Sequence, residues 1–159
     1  MEQLIDEAHI EALAVGAAAL GAGGGGDPYL GKLMVLKAIR QRGPIHLVDP
    51  FDLDDDCLVI PTAIMGAPTI LVEKIPAGDE QYRAFRLLER TLGKTAFATM
   101  PVESGGLNST LPFVVASLAG LPVIDADGMG RAFPEMQMES FHIYGVSGAP
   151  MTLYNERGD

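Results

Sequence analysis

The chain has 159 residues, 48% of them hydrophobic, which is enough for one compact domain spanning 1–159 with an ordinary core. Its net charge of -10 and pI of about 4.6 repel phosphodiester backbones and anionic lipid headgroups, and no basic cluster stands out against them, so nucleic acid and membrane surfaces are excluded as partners. No apolar run reaches the roughly 18 residues of a membrane span, the N-terminus lacks the basic region of a signal peptide, and the lone Cys57 allows no internal disulfide, so a cytoplasmic protein is expected.

In chain order, Asp6 to Leu20 is Ala-rich, with Leu13, Ala17 and Leu20 at helical spacing and Gly21 as the stop: a first helix. Four consecutive glycines follow, Gly23, Gly24, Gly25 and Gly26. Asp27 as N-cap and Pro28 at the first helical position open a second helix, which ends at Gly43-Pro44 with Lys37, Arg40 and Arg42 near its negative end. Ile45 to Val48 is short and apolar and reads as a buried strand. Residues 52–56 form a solvated acidic connection, Cys57 to Ile64 a second strand, and Thr69 to Glu73 a weaker extended segment after the Gly66-Ala67-Pro68 turn.

Asp79 starts a third helix with Tyr82, Phe85, Leu88 and Leu92 inward and Gly93 at its end. A strand is expected over Thr95 to Met100. Asn108 or Ser109 would cap a fourth, uncharged and therefore buried helix, Leu111 to Ala119. Val123-Ile124 forms another strand, and Ser140 to Val146 and Met151 to Tyr154 are expected as late strands. Strand and helix alternate through the middle, which predicts an α/β layered sheet, mostly parallel, with flanking helices and right-handed crossovers.

Three segments carry candidate chemistry. The glycine quartet lacks the Lys-Ser/Thr of a phosphate loop and follows a helix instead of a strand, so ATP and NAD are not expected cofactors. It reads either as an anion or oxygen cradle that includes Asp27, or as close packing against another backbone. Glu103-Ser104-Gly105-Gly106-Leu107-Asn108-Ser109 lies between a strand end and the uncharged helix. There Glu103, Gly105, Gly106 and Asn108 form either a site for an anion or carbonyl oxygen, or a plain turn with a cap. The stretch Asp125 to Glu135 follows Val123-Ile124. In extended backbone Asp125 and Asp127 share a side, which suits a divalent metal or general-base work. Alternatively Arg131 neutralises them in a structural ion pair.

His46 reads as a core residue of its strand, His9 as surface, His142 as a candidate ligand, and Cys57 as core. Met129, with Met136, Met138 and Met151, could line an adaptable apolar pocket or merely fill gaps.

Four ordered motifs resemble one family. They are Leu20-Gly21-Ala22-Gly23-Gly24-Gly25-Gly26-Asp27-Pro28-Tyr29; Gly66-Ala67-Pro68 with Glu73-Lys74; Glu103-x-Gly105-Gly106-x-Asn108; and Asp125-Ala126-Asp127-Gly128-Met129-Gly130-Arg131-Ala132-Phe133-Pro134-Glu135-x-Gln137-Met138. Together they resemble the N-terminal domain of the S-methyl-thiohydantoin desulfurase family, over nearly the whole chain. The resemblance implies a Rossmann-like domain and a role in breakdown of five-membered cyclic ureides or their sulfur analogues, with methanethiol released from an S-methylated thiohydantoin. It further implies a longer architecture with a second, β-rich domain, in which case a site shared between domains is incomplete here.

The expected arrangement is a small-molecule site at the carboxyl edge of the sheet. Gly23 to Gly26 and the fourth helix would hold ring oxygens, an acid among Glu103, Asp125 and Asp127 would activate water, and Arg131 would steady the anion. A metal on Asp125 and Asp127 is a variant of this arrangement. The rival expectation is a non-catalytic binding or assembly module of a hydantoinase-type complex, and homo-oligomerisation is compatible with either.

Overall fold

The computed structural model describes residues 3–67, 70–74 and 76–158. Its elements are β1 (Gln3–Ile5), α1 (Glu7–Gly21), α2 (Pro28–Arg42), β2 (Ile45–Val48), β3 (Val59–Thr62), α3 (Ile70–Glu73), α4 (Glu80–Leu92), β4 (Ala98–Pro101), α5 (Leu111–Ala119), β5 (Val123–Ile124) and α6 (Ser140–Ile143). The five strands form one sheet in the order β1-β2-β5-β4-β3. Only β1 runs antiparallel to its neighbour; the other pairs are parallel.

Side-chain alternation divides the sheet into two faces. Leu47, Ile60 and Val123 face the helices, whereas Val48, Val59 and Ile124 face away. On the helical side α5 is the hub. It packs against β2 to β5, with α2 on one flank and α4 on the other, and α1 packs on α2. Residues Leu111 to Ala116 of α5 are all buried, as expected of a helix without charges. On the opposite face Ala98, Met100 and Ile124 are covered by Val48, Leu53 and Val59. No described helix is long and apolar enough to cross a membrane.

The helix signals hold closely. Asp6 caps α1 in a reciprocal arrangement with His9, and Asp27 accepts from the Tyr29 amide with Pro28 at the first turn of α2. Gly43, Gly93 and Gly120 end α2, α4 and α5.

Several expectations are corrected. The segment expected as extended over Thr69 to Glu73 is helical over Ile70–Glu73, while Thr69 lies outside the described residues. Ser140 to Val146 is not a strand: its first four residues form α6. Met151 to Tyr154 has no regular structure. Neither segment pairs with a strand of the sheet, whose edges are β1 and β3, and β-branched and aromatic content alone makes no strand without a partner. The edge strand β1 carried too short a pattern to be recognised. His46 is exposed and not in the core, because Ile45 and Leu47 take the helix-facing positions on either side of it. Cys57 precedes β3 as a half-buried free thiol. The cap of α5 is Thr110, preceded by a 3-10 turn over Gly106–Ser109, and Asn108 and Ser109 make no cap bond to it.

Candidate functional site

The chain leaves α1 through Ala22, held in the left-handed region, and then crosses the glycine quartet. That crossing brings the quartet onto the turn after β4. The amide of Leu107 donates to the Gly25 carbonyl at 2.7 Å. A Cβ on Gly25 would stand 2.5 Å from the Gly105 carbonyl oxygen, and Gly25 has φ +78, so this position requires glycine twice over. Gly105 in turn faces Ala132, where an added Cβ would fall 2.7 Å from the alanine methyl. The three glycine-bearing motifs therefore converge, Gly25 against the Gly105 backbone and Gly105 against the Ala132 methyl. At Gly25 the quartet packs closely against another backbone, whereas Gly23 has nothing within 4 Å of where its Cβ would stand.

Beneath this junction lies Glu103, just past the C-terminal end of β4 and 6% exposed. Its Oε1 is 3.2 Å from the place a Gly25 Cβ would occupy and accepts from Asn108 Nδ2 at 2.7 Å. Its Oε2 is buried without a hydrogen-bond partner among the described residues. Burial pushes the Glu103 carboxyl above its ordinary value; the Asn108 hydrogen bond pulls it back, and the Asp127 charge adds to the rise. Asn108 also receives the Ile64 amide on Oδ1 at 2.8 Å, which ties the end of β3 to the turn after β4.

Asp127 is a loop organiser. Its Oδ2 accepts from the amides of Ser104 at 2.8 Å, Gly130 at 2.7 Å and Met129 at 3.3 Å, clamping the loop after β5 to the turn after β4. Asp125 is exposed and does not share this position. Arg131 is exposed, lies 5.5 Å from the centre of the Phe133 ring and makes no ion pair with either aspartate among the described residues. Asp27 is spent on capping α2, and Met129 is half-buried and engaged through its amide. Among the described residues no three His, Cys, Asp or Glu side chains are grouped to hold a metal ion, so Asp125 and Asp127 lack a third ligand.

One residue escaped the sequence reading. Among the described residues Glu139 has a buried Oε1 with no hydrogen-bond partner, and a Cβ on Gly128 would fall 2.7 Å from it. Burial raises its carboxyl above the usual value, and the Asp127 charge raises it further. Gly128 is held by its amide to Val102 and its carbonyl to Ser140, which brings Glu139 beside the Asp127 loop. Its one signal in the sequence is its place directly after the Asp125 to Met138 motif.

The family described as S-Me-THD-like, N-terminal domain, matches residues 8–159. The chain is similar to the crystal structure of a protein from Chromobacterium violaceum, at 27% identity and a TM-score of 0.78, covering 100% of this chain and 43% of that one. It thus spans less than half the length of that protein. No curated protein matches. The chain belongs to the S-Me-THD-like family and corresponds to its N-terminal domain.

Proposed function

We propose that this domain takes part in the breakdown of hydantoin-like cyclic amides or S-methyl thiohydantoins, with Glu103 as its acid. The observation that carries the reading is the Glu103 carboxyl, buried at the carboxyl edge of parallel strands with one oxygen unpartnered and its protonated form favoured by burial. Family membership supplies the substrate class.

In hydrolysis of an S-methyl thiohydantoin, water adds to the ring carbon that bears sulfur, the C–S bond breaks, and the oxygen stays as a ring carbonyl. One water hydrogen ends on the ring nitrogen and the other on methanethiol. In its protonated form the Glu103 carboxyl gives a proton to the departing sulfur and regains one from the attacking water. This is a donor's role, which the exposed Asp125 and an Asp127 whose Oδ2 accepts from three amides suit less.

The test is a melting-temperature panel of hydantoins, S-methyl thiohydantoins and divalent ions on wild type, Glu103→Gln and Asp127→Asn, with methanethiol release as the second readout. A thiohydantoin shift lost in Glu103→Gln supports the reading. An undiminished shift and undiminished turnover in that variant would sink the role of Glu103, and unchanged turnover in Asp127→Asn would remove Asp127 from water activation.

A further inference from the structure

We propose that the groove along α4 receives residues 51–56 of a second copy of this chain, and that opposite charge holds the contact. The groove encloses about 860 Å³ and gathers four of the chain's 11 basic residues, Arg83, Arg86, Arg90 and Lys94. In the sequence they are scattered among acids and apolar residues, and steps of three and four along a helix bring them to one side. Cations near a helix C-terminus are ordinary, but Arg83 stands in the first turn of α4, so the helix dipole does not account for the set.

Two of the four are already neutralised. Arg83 donates to Asp79 at 2.8 Å and to the Tyr154 hydroxyl at 3.1 Å, and Arg86 donates to Glu89 at 2.6 Å and to the Tyr82 hydroxyl at 3.2 Å. Arg90 and Lys94 are exposed and have no carboxylate partner among the described residues. The groove therefore offers two uncompensated positive charges beside the half-buried rings of Tyr82 and Tyr154, in a chain whose net charge is -10. Its complement is an acidic segment with an aromatic anchor.

Residues 51–56, Phe-Asp-Leu-Asp-Asp-Asp, have both properties. Phe51 is 95% exposed, and the carboxylates of Asp54, Asp55 and Asp56 are exposed and make no hydrogen bond or ion pair among the described residues. The segment is also held in shape. The Phe51 amide donates to the Asp49 carboxylate and the Cys57 amide to the Asp54 carbonyl, so docking orders little new backbone. The loop of the same molecule is on the wrong side: Leu53 packs on the sheet face turned away from the helices, whereas α4 packs on the helical face through Phe85 and Leu88. The sheet stands between them, so the occupant is a neighbouring molecule. At physiological salt a Debye length of roughly 8 Å screens the net charge of two approaching copies, while carboxylates and cations in contact still attract.

Sedimentation of the 159-residue chain at physiological salt, up to about 1 mM protein, should show concentration-dependent association. Arg90→Glu with Lys94→Glu, and separately Asp54→Lys with Asp55→Lys, should each weaken it by about tenfold or more. Phe51→Ala should weaken it with no change of charge. Mixed in equal amounts, the two charge-reversed proteins should associate again, because each groove then meets a loop of opposite sign. All five positions are exposed, so every variant should melt within a few degrees of wild type. A chain that stays monomeric throughout, association indifferent to these substitutions, or charge-reversed proteins that stay apart when mixed would each overturn the proposal.

Discussion

Gly25 and Leu107, far apart in sequence, are joined by a main-chain hydrogen bond of 2.7 Å, and through it the glycine quartet is seated on the turn after β4. The neighbouring Gly105 carbonyl oxygen would lie 2.5 Å from any Cβ on Gly25, and the atom in the way is backbone, which cannot swing aside. Gly25→Ala should therefore cost about 3 kcal/mol or more. Gly23 has φ +92, but nothing lies within 4 Å of where its Cβ would stand. Gly23→Ala should cost only about 1 kcal/mol, the strain of a left-handed alanine. Urea unfolding of the two variants measures both, and equal losses would contradict close packing at Gly25.

Glu103 and Glu139 give the stability a definite pH dependence. Both carboxyls are raised by burial, so the folded chain keeps their protons to higher pH than the unfolded chain does. Where both states are protonated the two groups have no effect. As pH climbs from the ordinary carboxylate range through the raised folded values, stability falls, and above them the loss is complete. Glu103→Gln keeps an acceptor for Asn108 and cannot ionise, so it should flatten the decline of stability with rising pH. Thermal melts between pH 4 and 8 decide this, and a variant whose curve runs parallel to wild type contradicts it.

Asn108→Ala removes the acceptor of the Ile64 amide and the donor to Glu103. Unfolding measurements should register a loss of roughly 1–3 kcal/mol for the groups left without partners. The Asn108 hydrogen bond is what pulls the Glu103 carboxyl down, so the fall of stability should also extend to higher pH than in wild type. A variant that loses stability equally at every pH would separate Asn108 from the state of Glu103.

Asp127 and Arg131 should differ sharply. Asp127→Ala strips the acceptor from the amides of Ser104, Met129 and Gly130 and should cost about 2–3 kcal/mol. Arg131→Ala removes one exposed ring contact and should change stability by no more than about 0.5 kcal/mol. Denaturant titration of each variant tells them apart, and similar costs would restore the ion pair between Arg131 and the acids.

Much of the fold was legible because its signals are local. Asp27-Pro28 and Gly43 mark both ends of α2 through the chemistry of a few neighbouring amides, and the charge-free run from Leu111 to Ala119 announces a buried helix. The late strands were misread for the same reason. Phe141 to Val146 has strand-like composition, but composition says nothing of whether an edge is available, and in the fold the segment lies outward.

At the site, the sequence alone identified the three segments that meet and offered Glu103, Asp125 and Asp127 as candidate acids without choosing among them. Glycines that need positive φ and carboxylates at strand ends are readable one residue at a time. Only the tertiary structure decided what each does. Gly25 and Gly26 approach Gly105 and Leu107, Asp127 Oδ2 accepts from three amides, Arg131 lies over Phe133, and Glu139 joins from just beyond the last motif. Burial and hydrogen-bond partners depend on chain segments remote in sequence, and they set which carboxyls are raised above their ordinary value and which one holds the loops.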